Sequence, residues 1–202
     1  MSEFKTLLLA LGLSLVMIFT AFAGQWQQDG IGWWYQNDDG SYPSNQWMEI
    51  DGKYYYFNEN GYMLSNTLTS DGYYVLEDGA WQKFKDVSNP RFGFLISIPA
   101  TWNENDESAN GDGYFINCLN NKIDMRVFGS NDIGIFGELY PDSEGFIFDN
   151  GTVGYLFSNG KEYTYTQLGD YTTTSFYINI ENDPQWFEAN KELITKIAKS
   201  IR

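Results

Sequence analysis

A period of 21 residues runs through the first half of this chain and limits the available folds more than any other feature. Aligning "WQQDGIGWWYQNDDGSY" from Trp26 with "WMEIDGKYYYFNENGYM" from Trp47 places an aromatic cluster seven residues after each Trp and a glycine fourteen after it. Trp33, Trp34 and Tyr35 thereby match Tyr54, Tyr55 and Tyr56, and Gly40 matches Gly61. A third unit, "LTSDGYYVLEDGAW", begins on schedule at Leu68 but shortens after Tyr73 and Tyr74. Units this short cannot enclose a core alone, so they must stack on one another, and a terminal unit, lacking a neighbour, is expected to be atypical.

Each unit reads as a β-hairpin. Aromatic runs favour strands, and Asn37 to Gly40 or Asn58 to Gly61 supply residues that tolerate positive φ in a tight turn. A lone hairpin is marginal in water, whereas stacked hairpins can share aromatic faces. Alternation along a strand sends Trp33 and Tyr35 one way and Trp34 the other; Tyr54 and Tyr56 likewise oppose Tyr55 and Phe57. One face can pack while the other receives a ligand. Residues 24 to 86 hold fifteen aromatics in 63 positions, including five of the seven tryptophans, enough for both tasks.

The unit W-x(4)-D-G-K-Y-Y-Y-F-N-E-N-G-Y-M, with Met63 after its turn glycine, resembles the choline-binding, or cell-wall-binding, repeat of Gram-positive surface proteins. The resemblance covers about residues 24 to 82. It implies a β-hairpin solenoid that holds its protein on the cell envelope, often through choline of teichoic acids. It also implies ligand sites between consecutive hairpins, and carried over to this chain the candidates are Trp26, Trp33, Tyr35, Trp47, Tyr54, Tyr56 and Met63. The chemistry fits independently: a quaternary ammonium has no N–H to donate, so its favourable site is a cage of aromatic faces, each good contact contributing roughly 0.5 to 2 kcal/mol. Asp29, Asp38, Asp39, Glu49 and Asp51 would raise the local cation concentration. Tyr42 stands where the first unit should carry its Met, and Asn45 and Gln46 replace the usual Thr-Gly before Trp47. Aromatic faces also stack on sugar rings, so a glycan or another wall polymer stays open beside choline. A module in which every aromatic is core, and one that pairs with another protein, stay open too.

Beyond the repeats the pattern changes. "KDVSN" reads as a polar linker, and "FGFLISIPATW" gives a strand from Phe92 to Ile98 closed by Pro99. Tyr114 to Leu119 and Ile123 to Phe128 flank Asn120 and Asn121 as a hairpin. Further strands are expected at Phe146 to Asp149, Val153 to Phe157, Glu162 to Gln167 and Thr173 to Ile180, with Asn159-Gly160 as a hairpin turn. The end is helical: Asp183 is the N-cap and Pro184 the first helical residue, and Phe187, Ile194, Ile197 and Ile201 fall on one face. The expected fold is thus a β-hairpin solenoid of aromatic repeats (24 to 86) followed by an α+β domain (87 to 202), a twisted antiparallel sheet with a packed C-terminal helix. "GFLISIPATW" and "ANKELITKIAKSIR" are similar to the bacterial PsbP-like α/β sandwich family, a resemblance that implies a fold and no single chemistry.

Residues 1 to 23 read as a secretory signal, with an apolar run ending in small residues at Ala21 and Ala23; cleavage is expected after Ala23, and membrane attachment only if it fails. The remaining chain keeps the full formal charge of -15, which argues against nucleic acid as a partner. Cys118 is the only cysteine, so no intramolecular disulfide is possible, and its parity with Tyr114 and Ile116 marks it as a buried small hydrophobe. The chain has no histidine, which removes serine–histidine and cysteine–histidine catalysis and imidazole bases. Carboxylate pairs remain, as in a wall-cleaving glycosidase, but no motif selects one. Asp106, Ser108, Asn110, Gly111 and Asp112 have the spacing of a calcium loop, yet Asn117 replaces its closing Glu and strands flank it, so a solvated loop is expected. No enzyme activity, metal or cofactor is expected. The expected partner is a cell-wall polymer, and the expected location the cell surface.

Overall fold

The computed structural model describes residues 24–105, 110–131 and 141–202. The expected signal segment lies outside these residues, as do Asp106 and Ser108 of the calcium-like spacing. Among the described residues no helix is long and apolar enough to cross a membrane.

Three antiparallel strand pairs come first: β1 (Gln25–Gln28) with β2 (Trp33–Gln36), β3 (Gln46–Ile50) with β4 (Lys53–Phe57), and β5 (Thr67–Leu68) with β6 (Tyr74–Val75). Their registers are equivalent, with Trp26 opposite Tyr35, Trp47 opposite Tyr56, and Leu68 opposite Tyr74. Between units the sheets are not continuous. Single bridges join them, Trp34 to Tyr62 and Tyr55 to Ala80, each backed by a backbone bond, Met63 N to Trp33 O at 2.7 Å and Trp81 N to Tyr54 O at 2.8 Å.

The turns follow the side-chain chemistry expected of them. Asn58 Oδ1 accepts from the amides of Asn60 and Tyr62, and Asp78 Oδ1 from that of Ala80. Gly79 has φ +79°, and a Cβ there would collide with the Met63 side chain, so it meets both a conformational and a packing requirement. Asn45 and Asn66 enter successive hairpins at φ 51° and 48°, and each accepts the hydroxyl of the tyrosine in the following strand, Tyr56 and Tyr74. The repeat is therefore kept in backbone conformation as well as in aromatic spacing. A small core of Tyr35, Ile50 and Phe57 lies between the first two units, flanked by Trp26, Met48, Tyr55 and Met63.

The stretch expected as a linker is a strand. β7 (Phe84–Asn89) pairs along its length with β8 (Phe94–Pro99), and the expected boundary at residue 86 falls inside it. "KDVSN" looks polar, but Val87 and Asn89 are buried while Asp86 and Ser88 are exposed, an alternation too short to stand out in sequence. A seven-stranded antiparallel sheet follows in the order β12-β13-β14-β15-β11-β10-β9. Its strands are β9 (Asn103–Asn105), β10 (Gly113–Asn117), β11 (Asp124–Ser130), β12 (Glu144–Ile147), β13 (Val153–Ser158), β14 (Glu162–Leu168) and β15 (Thr173–Asn179). Helix α1 (Pro184–Lys199) covers it. The Asp183 carboxylate accepts from Trp186 N at 3.2 Å, with Pro184 opening the first turn as expected. Phe187, Ile194, Ile197 and Ile201 are fully buried against Ile96 and Ile98 of β8, Met125 and Val127 of β11, and Phe176 and Ile178 of β15. Cys118 is buried in the same core, and burial pushes its thiol pKa up.

The third repeat is not left without a neighbour. Tyr74 belongs to the core of the α+β domain. Asn66 Nδ2 donates to Ala189 O at 2.7 Å, Thr67 Oγ1 to Glu192 Oε2 at 3.1 Å, and Lys196 Nζ to Gly72 O at 2.8 Å. The shortened unit is thus the surface on which α1 packs.

Candidate aromatic binding groove

The seven residues expected to bind a ligand divide by burial. Tyr35 and Tyr56 are buried, and the Tyr56 hydroxyl is taken up by Asn45 Oδ1 and Ser70 Oγ, so neither presents a face to a ligand. Trp26 is half-buried and packed by four rings, edge-on to Trp33, Tyr35 and Tyr55 and stacked on Phe57 with centroids 5.9 Å apart. Met63 flanks the small core. Trp33 stands 43% exposed at the rim of this cluster.

Trp47 and Tyr54 have a different setting. With Tyr73, Trp81 and Asp71 they line an open groove of about 410 Å³. The four rings meet edge-to-face: Trp47 to Tyr73 at 5.8 Å, Tyr73 to Trp81 at 5.9 Å, and Tyr54 to Trp81 at 6.2 Å. Neighbouring rings set near 86° present walls instead of a flat platform, the geometry that encloses a small cation. Tyr54 and Tyr73 remain 43% and 48% exposed, so their faces are available.

The local sequence holds these rings in place. Trp47 Nε1 donates to Asp71 Oδ2 at 2.9 Å, while Asp71 Oδ1 accepts from Thr69 Oγ1 at 2.5 Å. These two bonds, the threonine's first, hold the Asp71 pKa below the ordinary carboxylate value, so a negative charge persists at the groove. Tyr54 donates its hydroxyl to Glu49 Oε2 at 2.9 Å, which pushes the phenol pKa up and keeps it protonated. Of the acids expected to surround the site, Glu49 therefore supports a ring, Asp29 accepts from Ile31 N and Tyr62 Oη, and Asp39 accepts from Ser41.

Tyr73, Trp81 and Asp71 fall outside the set expected from sequence. Counting forward from Leu68 hides them, because the third unit has lost residues ahead of its turn. Counting back from Gly79 recovers them: Val75 bridges Trp81 as Phe57 bridges Met63, so Trp81 occupies the position of Met63 and Tyr73 that of Tyr55. The same equivalence puts Trp26, Trp33, Tyr55 and Met63 together between the first two hairpins. There the leading Trp contacts Tyr55 at 4.9 Å, and Met63 takes the place of a ring.

Fold and groove together define a class: an aromatic hairpin-repeat module, with a ring-lined groove between consecutive units, joined to an α+β domain. Residues 41–81 match the choline-binding repeat family, and this segment consists of choline-binding repeats. Over 30 residues, 15% of this chain and 9% of the relative, it is 50% identical to a lysozyme of Streptococcus phage Cp-1. The chain thus spans only a small part of that relative's length. The choline binding domain of Spr1274 in Streptococcus pneumoniae is 41% identical over 30% of this chain and 72% of its own, with a TM-score of 0.28. The cyanobacterial PsbP of Synechocystis sp. PCC 6803 covers 60% of this chain and 92% of its own at 13% identity, with a TM-score of 0.44. Both structural likenesses are too partial to bear on function.

Proposed function

We propose that this protein attaches to the cell wall by binding a quaternary ammonium, the choline of a wall polymer, in the groove of Trp47, Tyr54, Tyr73 and Trp81. The observation that carries this reading is the convergence of four rings from two successive repeats around an ionised Asp71. Rings supply the faces a cation without N–H donors requires, and one fixed carboxylate adds long-range attraction without needing a hydrogen bond. The repeated bridges, Trp34 to Tyr62 and Tyr55 to Ala80, support reading the three hairpins as a short solenoid. Choline-binding repeats are typical of surface proteins, in keeping with an exported, wall-associated location. The α+β domain is carried as non-catalytic cargo in this reading, consistent with a chain that has no histidine.

Titration with choline tests it. Millimolar choline is expected to quench tryptophan emission and to release the protein from purified walls. Trp81→Ala should abolish both effects with the melting curve little changed, because Trp81 lines the groove and is not among the buried core. An unchanged spectrum with undiminished wall retention would refute the reading.

A further inference from the structure

A second groove adjoins the first on the side of the α+β domain. It also measures about 410 Å³, and Tyr73 and Trp81 belong to both. Phe84, at the start of β7, adds a third ring, and much of the remaining lining is polar: Gln82, Asp149 and Asn150 after β12, and Lys196 of α1. Gln82 is 5% exposed, and its Nε2 donates to Lys83 O at 2.6 Å. Its Oε1 accepts from no group among the described residues, yet it is not sealed from solvent, so a nearly buried acceptor opens on the groove it lines. Asp149 bonds through its backbone to Lys199 O, and its carboxylate likewise has no partner among the described residues. Asn150 accepts through Oδ1 from Thr152 N at 3.0 Å, which leaves its amide hydrogens to donate. Lys196 gives one of its three donors to Gly72 O. Arg202 is held by Asp86 at 2.6 Å, so the uncommitted charges of the groove are those of Asp149 and Lys196, which offset.

Such a lining suits a ligand that donates and accepts hydrogen bonds, carries no net charge and offers an apolar face to rings. A phosphate or carboxylate needs donors only and would meet Asp149 and Gln82 Oε1. A bare cation would meet Lys196. A sugar satisfies all three conditions, because each hydroxyl both donates and accepts while the C–H side of a pyranose packs on an aromatic face. We propose that the groove between the third repeat and the α+β domain binds a neutral pyranose unit. Gln82 Oε1 and Asp149 take its hydroxyl protons, Asn150 and Lys196 donate to its oxygens, and Tyr73, Trp81 and Phe84 pack on its faces. The α+β domain thereby takes part in recognition. The site is separate from the ammonium cage, since Trp47, Tyr54 and Asp71 do not line it.

Titrations of the full chain with maltotriose and with chitotriose, read by tryptophan emission and by calorimetry, test this. At least one is expected to bind at millimolar concentration, with an affinity that added salt leaves unchanged, because the ligand is uncharged. Asp149→Ala should weaken that binding roughly tenfold, the range of a hydrogen bond to a charged group, while choline titrates as in the unmodified protein. Asp149 is exposed and outside the core, so this variant is expected to fold. Failure of both sugars to bind, binding that Asp149→Ala leaves undiminished, or a steep loss with salt would overturn the sugar site. An intact choline response in the same samples would leave the cage standing, and loss of that response alone would overturn the cage and leave the sugar site. Sedimentation with purified walls before and after teichoic acid is stripped, compared between the unmodified protein and Asp149→Ala, distinguishes a glycan strand from a teichoic polymer as the source of the sugar.

Discussion

Tyr74 shows how a repeat position changes its task when its neighbour changes. In the second unit the equivalent Tyr56 bonds Asn45 and Ser70; in the third, Tyr74 bonds Asn66 Oδ1 at 2.5 Å while its ring enters the core beneath α1. Burial, and secondarily the charge of Glu192, pushes its phenol pKa up to about 12 from 10.0. The folded protein therefore keeps a proton that the unfolded chain gives up, and the stability due to Tyr74 is present below pH 10 and lost as pH rises toward 12. Melting curves between pH 9 and pH 12 should show that fall, and Tyr74→Phe should flatten it. At neutral pH the same variant should cost about 1 kcal/mol for the lost hydrogen bond.

At the scale of elements, the most legible part was the C-terminal helix. Its cap, its Pro and its buried face all stand where the 3.6-residue pattern of Asp183 to Ile201 places them, because each is a local property. Ile194→Ala, which empties a fully buried site facing the sheet, should destabilise the protein by about 3 kcal/mol in chemical denaturation. The strands of the sheet were legible within two residues at most ends, since alternation and the Asn159-Gly160 turn are also local. The third hairpin was not, because its register is set from the turn backward. Gly79→Ala should strain the backbone and press on Met63 together, loosening the contact between second and third repeats. Its expected signature is a weaker response of tryptophan emission to choline as well as a lower melting temperature.

For the whole molecule, the third repeat is the joint. It gives Tyr73 to the groove and the adjacent Tyr74 to the core of the α+β domain, while Asn66, Thr67 and Gly72 bond to α1. The aromatic groove and the domain packing thus meet in consecutive residues. Residues 24–86 produced alone would expose the Tyr74 ring and the lower face of the last hairpin. That fragment should melt well below the intact protein and bind choline more weakly, as measured by tryptophan emission against temperature and ligand. A fragment as stable as the whole would show that α1 contributes nothing to the repeats.

The sequence by itself determined the repeat, the first two hairpins, most of the sheet strands, and the helix with its cap. Each of these is written in spacing or turn chemistry over fewer than about two dozen residues. Of the residues it singled out for a ligand, Trp47 and Tyr54 line the open groove. Only the tertiary structure decided which rings stay open: Tyr35 and Tyr56 turned inward, and Tyr73, Trp81 and Asp71 joined the groove. It also decided that "KDVSN" pairs as a strand and that α1 covers the final repeat. The physical reason is common to all of these. An aromatic side chain is equally suited to core and to ligand, and what covers it depends on segments over a hundred residues away, such as Lys196 against Gly72.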